Sequence, residues 1–83
     1  MNYQITQKDR IVQEIVLYLK NSKSNEVVLT SGEIRKWPSV DAICANYNMK
    51  NICRAMRFVA GYTHEHIDGI DESTTYRVRY SHK

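Results

Sequence analysis

The sequence predicts a small α+β domain, and three observations carry that prediction. Apolar residues recur at helical spacing over residues 6–20 and again over residues 48–60, whereas the period changes to two over residues 75–80. A length of 83 residues allows one domain with one modest core. The composition, 42% hydrophobic and 25% charged, is that of a folded protein rather than a disordered one. We therefore expect a single domain over residues 1–83.

The first helix is predicted to begin after Thr6. Thr6 suits the N-cap position, and Asp9 would place its carboxylate beside the free N–H groups of the first turn. The apolar face that follows consists of Ile11, Val12, Ile15, Val16 and Leu19. Leu17 falls among the polar residues of the other face, so it is either a single exposed apolar residue or part of an association surface.

A short strand and two short helices are expected next. Residues 27–29 are apolar and mostly β-branched, which predicts a brief strand. Thr30 and Glu33 have the spacing of a capping box, which predicts a helix over residues 32–37. A further short helix is expected over residues 40–46.

A helix over residues 48–60 has the most informative pattern in the chain. Asn48 is a good N-cap, and Gly61 stands where a helix would stop. One side is a narrow apolar stripe formed by Ile52, Ala55, Met56 and Val59. The opposite side carries three cations, Lys50, Arg54 and Arg57. Residues 42–64 contain no acidic residue that could pair with these cations, so the helix suits a polyanion, although most surface helices are charged simply because they face water.

A β-hairpin is predicted after Gly61. Three aromatic or β-branched residues alternate with three polar ones, as in a strand with one buried face: Tyr76, Val78 and Tyr80 against Thr75, Arg77 and Arg79. Residues 62–67 supply the antiparallel partner. The connection over residues 68–74 carries an Asp-Gly hairpin signal and has room for more than a two-residue turn.

In this order of elements the chain resembles a winged helix-turn-helix domain, and the resemblance covers nearly the whole sequence. It rests on Leu29 to Ile34 as the strand that leads into the second helix, and on Met49 to Phe58 as the recognition helix. In that family the recognition helix enters the major groove of DNA. The resemblance implies base-edge contacts from Lys50, Asn51 and Arg54 and a phosphate contact from Arg57. Asn48, at the start of this helix, completes the helical part of the expected DNA-binding set.

Two features depart from the pattern of that family. Residues 39–46 lengthen the link before the recognition helix. The tip of the expected wing is acidic, since it carries Asp68, Asp71 and Glu72, and phosphate would repel it. A contribution from the wing would therefore come from its base, through Arg77 and Arg79. The alternative for these two arginines is an exposed strand face on which they pair with Glu65.

The resemblance implies a sequence-specific, double-stranded DNA-binding protein, a small transcriptional regulator that forms a homodimer and needs no cofactor. The net charge of +3 and the pI near 9.0 lean toward a nucleic-acid partner. One alternative is a winged-helix module for protein–protein contact without DNA readout, using apolar surface at Tyr3, Leu17, Phe58 and Tyr62. Another is RNA binding, in which tyrosines would stack on bases.

Other classes of function have little support in the residues. There is no glycine-rich phosphate loop, and no serine has an evident base, so we expect no enzyme. His64 and His66 would share one face of a strand and could hold a metal with Asp68 only if a further ligand joined them. No apolar run approaches the roughly 20 residues that span a bilayer. The N-terminus lacks the features of a signal peptide, so we expect a cytoplasmic protein.

The cysteines and the single tryptophan are expected to serve the core. Cys44 and Cys53 are too few and too far apart for a disulfide scaffold or a CxxC zinc motif. Free cysteines usually behave as small buried apolar residues, with a disulfide or a metal as the alternatives. Trp37 is expected to anchor the core.

Overall fold

The computed structural model describes residues 6–43 and 49–82. The elements follow the chain in this order: α1 (Gln7–Asn21), β1 (Glu26–Thr30), α2 (Ser31–Lys36), α3 (Pro38–Ile43), α4 (Met49–Met56), β2 (Tyr62–Asp68) and β3 (Arg77–His82). Within these residues the helices pack beside a three-stranded antiparallel sheet, which confirms the α+β class. None of the helices in the two described ranges combines the length and the apolar character that crossing a bilayer requires.

The start and the buried face of α1 are those predicted from the sequence. Thr6 is the N-cap, and its Oγ1 accepts a hydrogen bond from the Asp9 N–H at 3.1 Å. Three residues of the apolar face are buried, Ile11, Ile15 and Leu19, while Val12 and Val16 pack at the margin of the core. Leu17 points away from the core and is 54% exposed.

The two short helices differ in how well the sequence predicted their starts. The Glu33 N–H donates to Thr30 Oγ1 at 3.2 Å, and the Thr30 hydroxyl donates to the Glu33 carboxylate at 3.0 Å, so Thr30 caps α2 as expected. α3 begins at Pro38, two residues earlier than expected, because the fixed φ of proline suits the first position of a helix. Trp37, expected inside the core, is half-buried at its edge and stacks on Tyr18 with 4.6 Å between ring centroids.

α4 is shorter than the helix predicted over residues 48–60. It ends at Met56, and the next two N–H groups donate to carbonyls three residues back, at 3.0 and 3.1 Å. The chain therefore leaves the helix through a tight turn of the 3₁₀ type. Val59 is buried beyond that turn, and Gly61, with φ of +86°, lies in the bend before β2 rather than at the helix end. The predicted N-cap, Asn48, lies outside the described residues.

β3 is the middle strand of the sheet, with β1 on one side and β2 on the other. Tyr80 lies opposite Val27 of β1 and opposite His64 of β2. The predicted alternation is confirmed, since Val78 and Tyr80 are buried whereas Arg77 and Arg79 reach the outer face. The connection from β2 to β3 occupies residues 69–76, so it is longer than a two-residue turn.

The apolar stripe of α4 lies in the core, together with α1 and the inner face of the sheet. Its three members within α4, Ile52, Ala55 and Met56, are buried, which confirms the predicted helical phase. Val59, beyond the end of the helix, is buried as well. The Tyr80 hydroxyl donates to the Met56 carbonyl at 2.6 Å, and burial raises the pKa of Tyr80. Cys53 is also buried, and burial raises the pKa of its thiol, so it serves as a small apolar residue as expected.

The hairpin loop over residues 69–76 folds back against the start of α2. The N–H groups of Ser31 and Gly32 donate to Tyr76 O at 2.9 Å and to Thr74 O at 3.1 Å, and the Ser31 hydroxyl donates to another loop carbonyl. A Cβ atom on Gly32 would lie only 2.9 Å from Thr74 O, so the close approach requires glycine or a local shift. The loop therefore satisfies N–H groups that a helix cannot satisfy internally.

Candidate nucleic-acid interface

The fold divides the cationic face that was predicted for α4. Lys50 and Arg54 are exposed, and within the described ranges neither has an acidic partner. They lie one helical turn apart on the side of α4 opposite the apolar stripe. Two cations on a helix, unpaired with any acid of the described residues, give the outer surface of α4 an anion-binding character.

Arg57, by contrast, is paired with an acid of the hairpin loop. Its Nη1 donates to Asp71 Oδ2 at 2.8 Å, and its guanidinium lies 5.8 Å from the centre of the Tyr76 ring. The hydrogen bond raises the pKa of Arg57 and lowers the pKa of Asp71 from its ordinary value of 3.8. The two side chains remain 36% and 43% exposed, so a phosphate can reach Arg57 only in competition with Asp71.

Asn51 is turned toward α1 rather than straight outward. Its Nδ2 donates to Gln7 Oε1 at 2.8 Å, and Gln7 Nε2 in turn donates to the Ile43 carbonyl at 3.2 Å. Asn51 is also half-buried. This chain of hydrogen bonds ties α4 to α1 and α3, and it fixes the orientation of one candidate base reader.

The two arginines at the base of the hairpin lie on the outer face of the sheet among acids. Arg79 lies between Glu26 and Glu65, with Nε 3.4 Å from one carboxylate and Nη1 2.8 Å from the other. Arg77 Nε lies 3.4 Å from Asp68 Oδ1. Exposed pairs of this kind contribute about 0–1 kcal/mol to stability, but they neutralise charge locally. The alternative of pairing with Glu65 is therefore present for Arg79 only, whereas Arg77 pairs with Asp68.

Lys8 adds a cation that the sequence pattern did not single out. It lies in the first turn of α1 and lines, together with Thr6, Gln7, Asn51 and Arg54, a shallow cleft of about 220 Å³. Its Nζ is 4.0 Å from Asp9 Oδ1 and 4.4 Å from the centre of the Phe58 ring. Lys8 and Arg54 are far apart in the sequence, so no helical period could have linked them.

The histidines of β2 form part of the hairpin. His64 and His66 share one face, as predicted, but no three metal-ligating side chains come together in the part of the chain that the structure describes. His66 stacks on Tyr76 with 4.7 Å between ring centroids, and its Nε2 lies 2.8 Å from the Asp68 carbonyl oxygen. These contacts give His66 a structural role at the turn.

A separate exposed surface on α1 is apolar. Leu17 and Tyr18 are 54% and 45% exposed, and together with Trp37 they line a shallow cleft of about 290 Å³. Of the other residues that the sequence suggested for association, Phe58 is exposed whereas Tyr62 is buried. Tyr3 lies outside the described residues. The apolar surface on α1 is therefore defined by Leu17, Tyr18 and Trp37.

The candidate interface comprises the outer face of α4, the first turn of α1 and Phe58, which follows the end of α4. Its members are Lys8, Lys50, Asn51, Arg54 and Phe58. Comparison with family models, with curated proteins and with solved structures finds no match to the chain.

Proposed function

We propose that this chain is a sequence-specific double-stranded DNA-binding protein, a small cytoplasmic transcriptional regulator of winged helix-turn-helix architecture that presents α4 to the major groove. One observation carries the proposal: Lys50 and Arg54 are exposed on the outer side of α4 and have no acidic partner among the described residues. The order of helices, strand and hairpin supports it as well.

Arg54 has the central role in this proposal. A guanidinium can donate two hydrogen bonds to the O6 and N7 atoms of guanine, and each good contact of this kind discriminates by about 1–3 kcal/mol. Lys50, one turn earlier, reaches a base edge or a phosphate, and Lys8 at the start of α1 meets the DNA backbone. Arg57 contributes only where a phosphate displaces Asp71.

The test compares Arg54→Ala with a cation that lies elsewhere. Lys20→Ala is the matched control, because Lys20 is exposed on α1 beside Val12 and Val16 and its loss changes the net charge equally. We expect Arg54→Ala to narrow the difference in affinity between cognate and random duplexes by about 1–3 kcal/mol. Lys20→Ala should leave that difference unchanged. Binding titrations at several salt concentrations measure the affinity of each variant for the two kinds of duplex. The cognate duplex is first selected from a random pool.

The same titrations can contradict the proposal. If Arg54→Ala and Lys20→Ala weaken cognate and random duplexes by the same small factor, α4 does not read bases. If the folded wild-type protein binds neither duplex at low salt, the DNA-binding function itself is wrong.

A homodimer is part of this proposal, because a reader of 83 residues has little surface with which to achieve affinity alone. A two-fold dimer would place two α4 helices on half-sites about 34–36 Å apart or a multiple of that distance. Leu17 belongs to the surface on which we place the dimer contact. Sedimentation with and without DNA measures the state, and a monomer at high micromolar concentration under both conditions contradicts the dimer.

The second candidate function is a protein-interaction module without DNA readout, and the exposed apolar surface on α1 favours it. Leu17, Tyr18 and Trp37 lie together there, and the cleft that they line shares no residue with the cleft beside Arg54. Two variants distinguish these functions. Leu17→Glu should leave DNA binding by a monomer intact, whereas Arg54→Ala should leave any protein contact on α1 intact.

A further inference from the structure

Phe58 is an exposed aromatic ring on a cationic surface. It is the single phenylalanine of the sequence, and it is 61% exposed although the residues around it, Met56 and Val59, are buried. The core does not require an aromatic side chain here, because Val59 already fills the position at which the apolar stripe continues. The ring therefore lies outside the core and is accessible from solvent.

The surroundings of the ring supply positive charge. The Lys8 ammonium lies over one face, 4.4 Å from the ring centre, which is the distance of a cation–π contact. Arg54 comes four residues before Phe58 and lines the same cleft as Lys8. The ammonium lies over one face of the ring, and the side chain is 61% exposed, so part of the ring is accessible to a ligand. The arrangement is an exposed aromatic ring in contact with Lys8, which in turn shares a cleft with Arg54.

A nucleotide with an unpaired base has the matching chemistry. Its base offers a flat π-face that can stack on the open side of the ring, and its phosphates can accept hydrogen bonds from Lys8 and Arg54. Base pairs inside a duplex cannot bind in this way, because neighbouring pairs cover their faces. We propose that Phe58, with Lys8 and Arg54, binds an unpaired nucleotide of a single-stranded nucleic acid. This site goes beyond duplex recognition by α4 and stands whether or not that recognition occurs.

The stack can be measured directly with a fluorescent base. The probe is a short oligodeoxyadenylate that carries one 2-aminopurine, whose emission falls when the base stacks on an aromatic ring. The wild-type protein should bind the probe and change its emission. Phe58→Leu keeps an apolar side chain but removes the flat ring, so it should weaken binding by about 5- to 100-fold and abolish the emission change. Phe58→Tyr keeps a flat ring and should restore both signals.

Several outcomes would overturn the proposal. Equal binding and equal emission change for wild type and Phe58→Leu would show that no base stacks on this ring. If Phe58→Leu weakens binding only to duplexes, and has no effect on duplexes in which uracil replaces thymine, the ring contacts a thymine methyl group instead of a stacked base. Circular dichroism verifies that Phe58→Leu remains folded, which its exposed position leads us to expect.

Further arms identify the strand and separate this site from the duplex interface. Ribo- and deoxyribo-oligomers share the stacking and phosphate chemistry, so their relative affinity tells which strand the site takes. The proposal requires that Phe58→Leu weaken whichever of them binds more tightly. A protein that changes the emission of the probe but binds no duplex refutes major-groove recognition and supports the nucleotide site. A protein that binds duplex but never the single strand refutes the nucleotide site.

Discussion

Replacing Asp71 by asparagine tests how the hairpin loop affects the outer face of α4. In the folded protein Asp71 Oδ2 accepts from Arg57 Nη1 at 2.8 Å. Under the proposed function, a DNA phosphate would have to compete with Asp71 for this guanidinium. Asparagine keeps the size of the side chain and removes its charge. We expect Asp71→Asn to strengthen binding to duplex DNA, because Arg57 then no longer gives up an ion pair when it meets phosphate.

The magnitude follows from the exposure of the pair. With side chains 36% and 43% exposed, the ion pair belongs to the surface class, for which about 0.2–1 kcal/mol is usual. The unbound Asp71→Asn variant has no such ion pair to give up on binding. Its affinity for duplex DNA should therefore be roughly 1.4- to 5-fold higher than that of the wild type. Because Arg57 adds about one phosphate contact, the plot of log affinity against log salt should steepen by up to about 0.9.

The assay is a duplex titration at neutral pH over several salt concentrations. The pKa of Asp71 lies below its ordinary value of 3.8, so the pair is intact at neutral pH and is lost only as the pH falls through that lowered value. Asp68→Asn is the matched control. It changes the net charge equally and releases Arg77, which lies on the sheet rather than on α4.

The comparison of the two variants decides the interpretation. A gain confined to Asp71→Asn places the DNA beside Arg57 and α4. Equal gains from both variants would mean that net charge alone is responsible and would refute the role given to this pair. A gain confined to Asp68→Asn would move the interface to the base of the hairpin.

Three further predictions concern stability and can be measured by urea or thermal unfolding. Tyr80→Phe leaves the Met56 carbonyl without its buried donor and should cost about 1–3 kcal/mol, and no measurable cost would contradict the importance of this bond. Met56→Ala empties a fully buried position and should cost roughly 2–5 kcal/mol, whereas a loss below about half a kcal/mol would contradict the helical phase. Gly69→Ala should destabilise more than Gly61→Ala: both glycines have positive φ, but a Cβ on Gly69 would overlap the Thr75 carbonyl, whereas a Cβ on Gly61 meets open space. Equal costs would show that φ alone matters at both sites.

Local chemistry explains which parts of the fold could be predicted. The caps at Thr6 and Thr30 depend on side chains three residues from their partners, so sequence spacing reveals them. The buried faces of α1, α4 and β3 follow from periods of 3.6 and 2. The sequence placed the end of α4 too late. Val59 continues the apolar period and is buried, although the helix has already ended at Met56.

The candidate site was less predictable, because its electrostatics depend on residues that are distant in sequence. Arg57 was expected to be unpaired since no acid lies near it along the chain, but the returning loop brings Asp71 to it. In the same way Glu26 reaches Arg79 across the sheet from β1. Exposed ion pairs leave no periodic signal, unlike buried apolar residues, and so the separation of the cations into paired and unpaired ones required the structure.

The position of β3 in the middle of the sheet has a consequence for folding during synthesis. β1 leaves the ribosome early, but its partner strand follows only after α2, α3, α4 and β2. Until residues 77–82 have emerged, both outer strands lack hydrogen-bond partners, and Val27 and Leu29 lack the tyrosine and valine that face them in the sheet. Long-range strand pairing of this kind is slow and exposes aggregation-prone edges. A chain truncated before Arg77 therefore cannot form this sheet, because both β1 and β2 pair with β3.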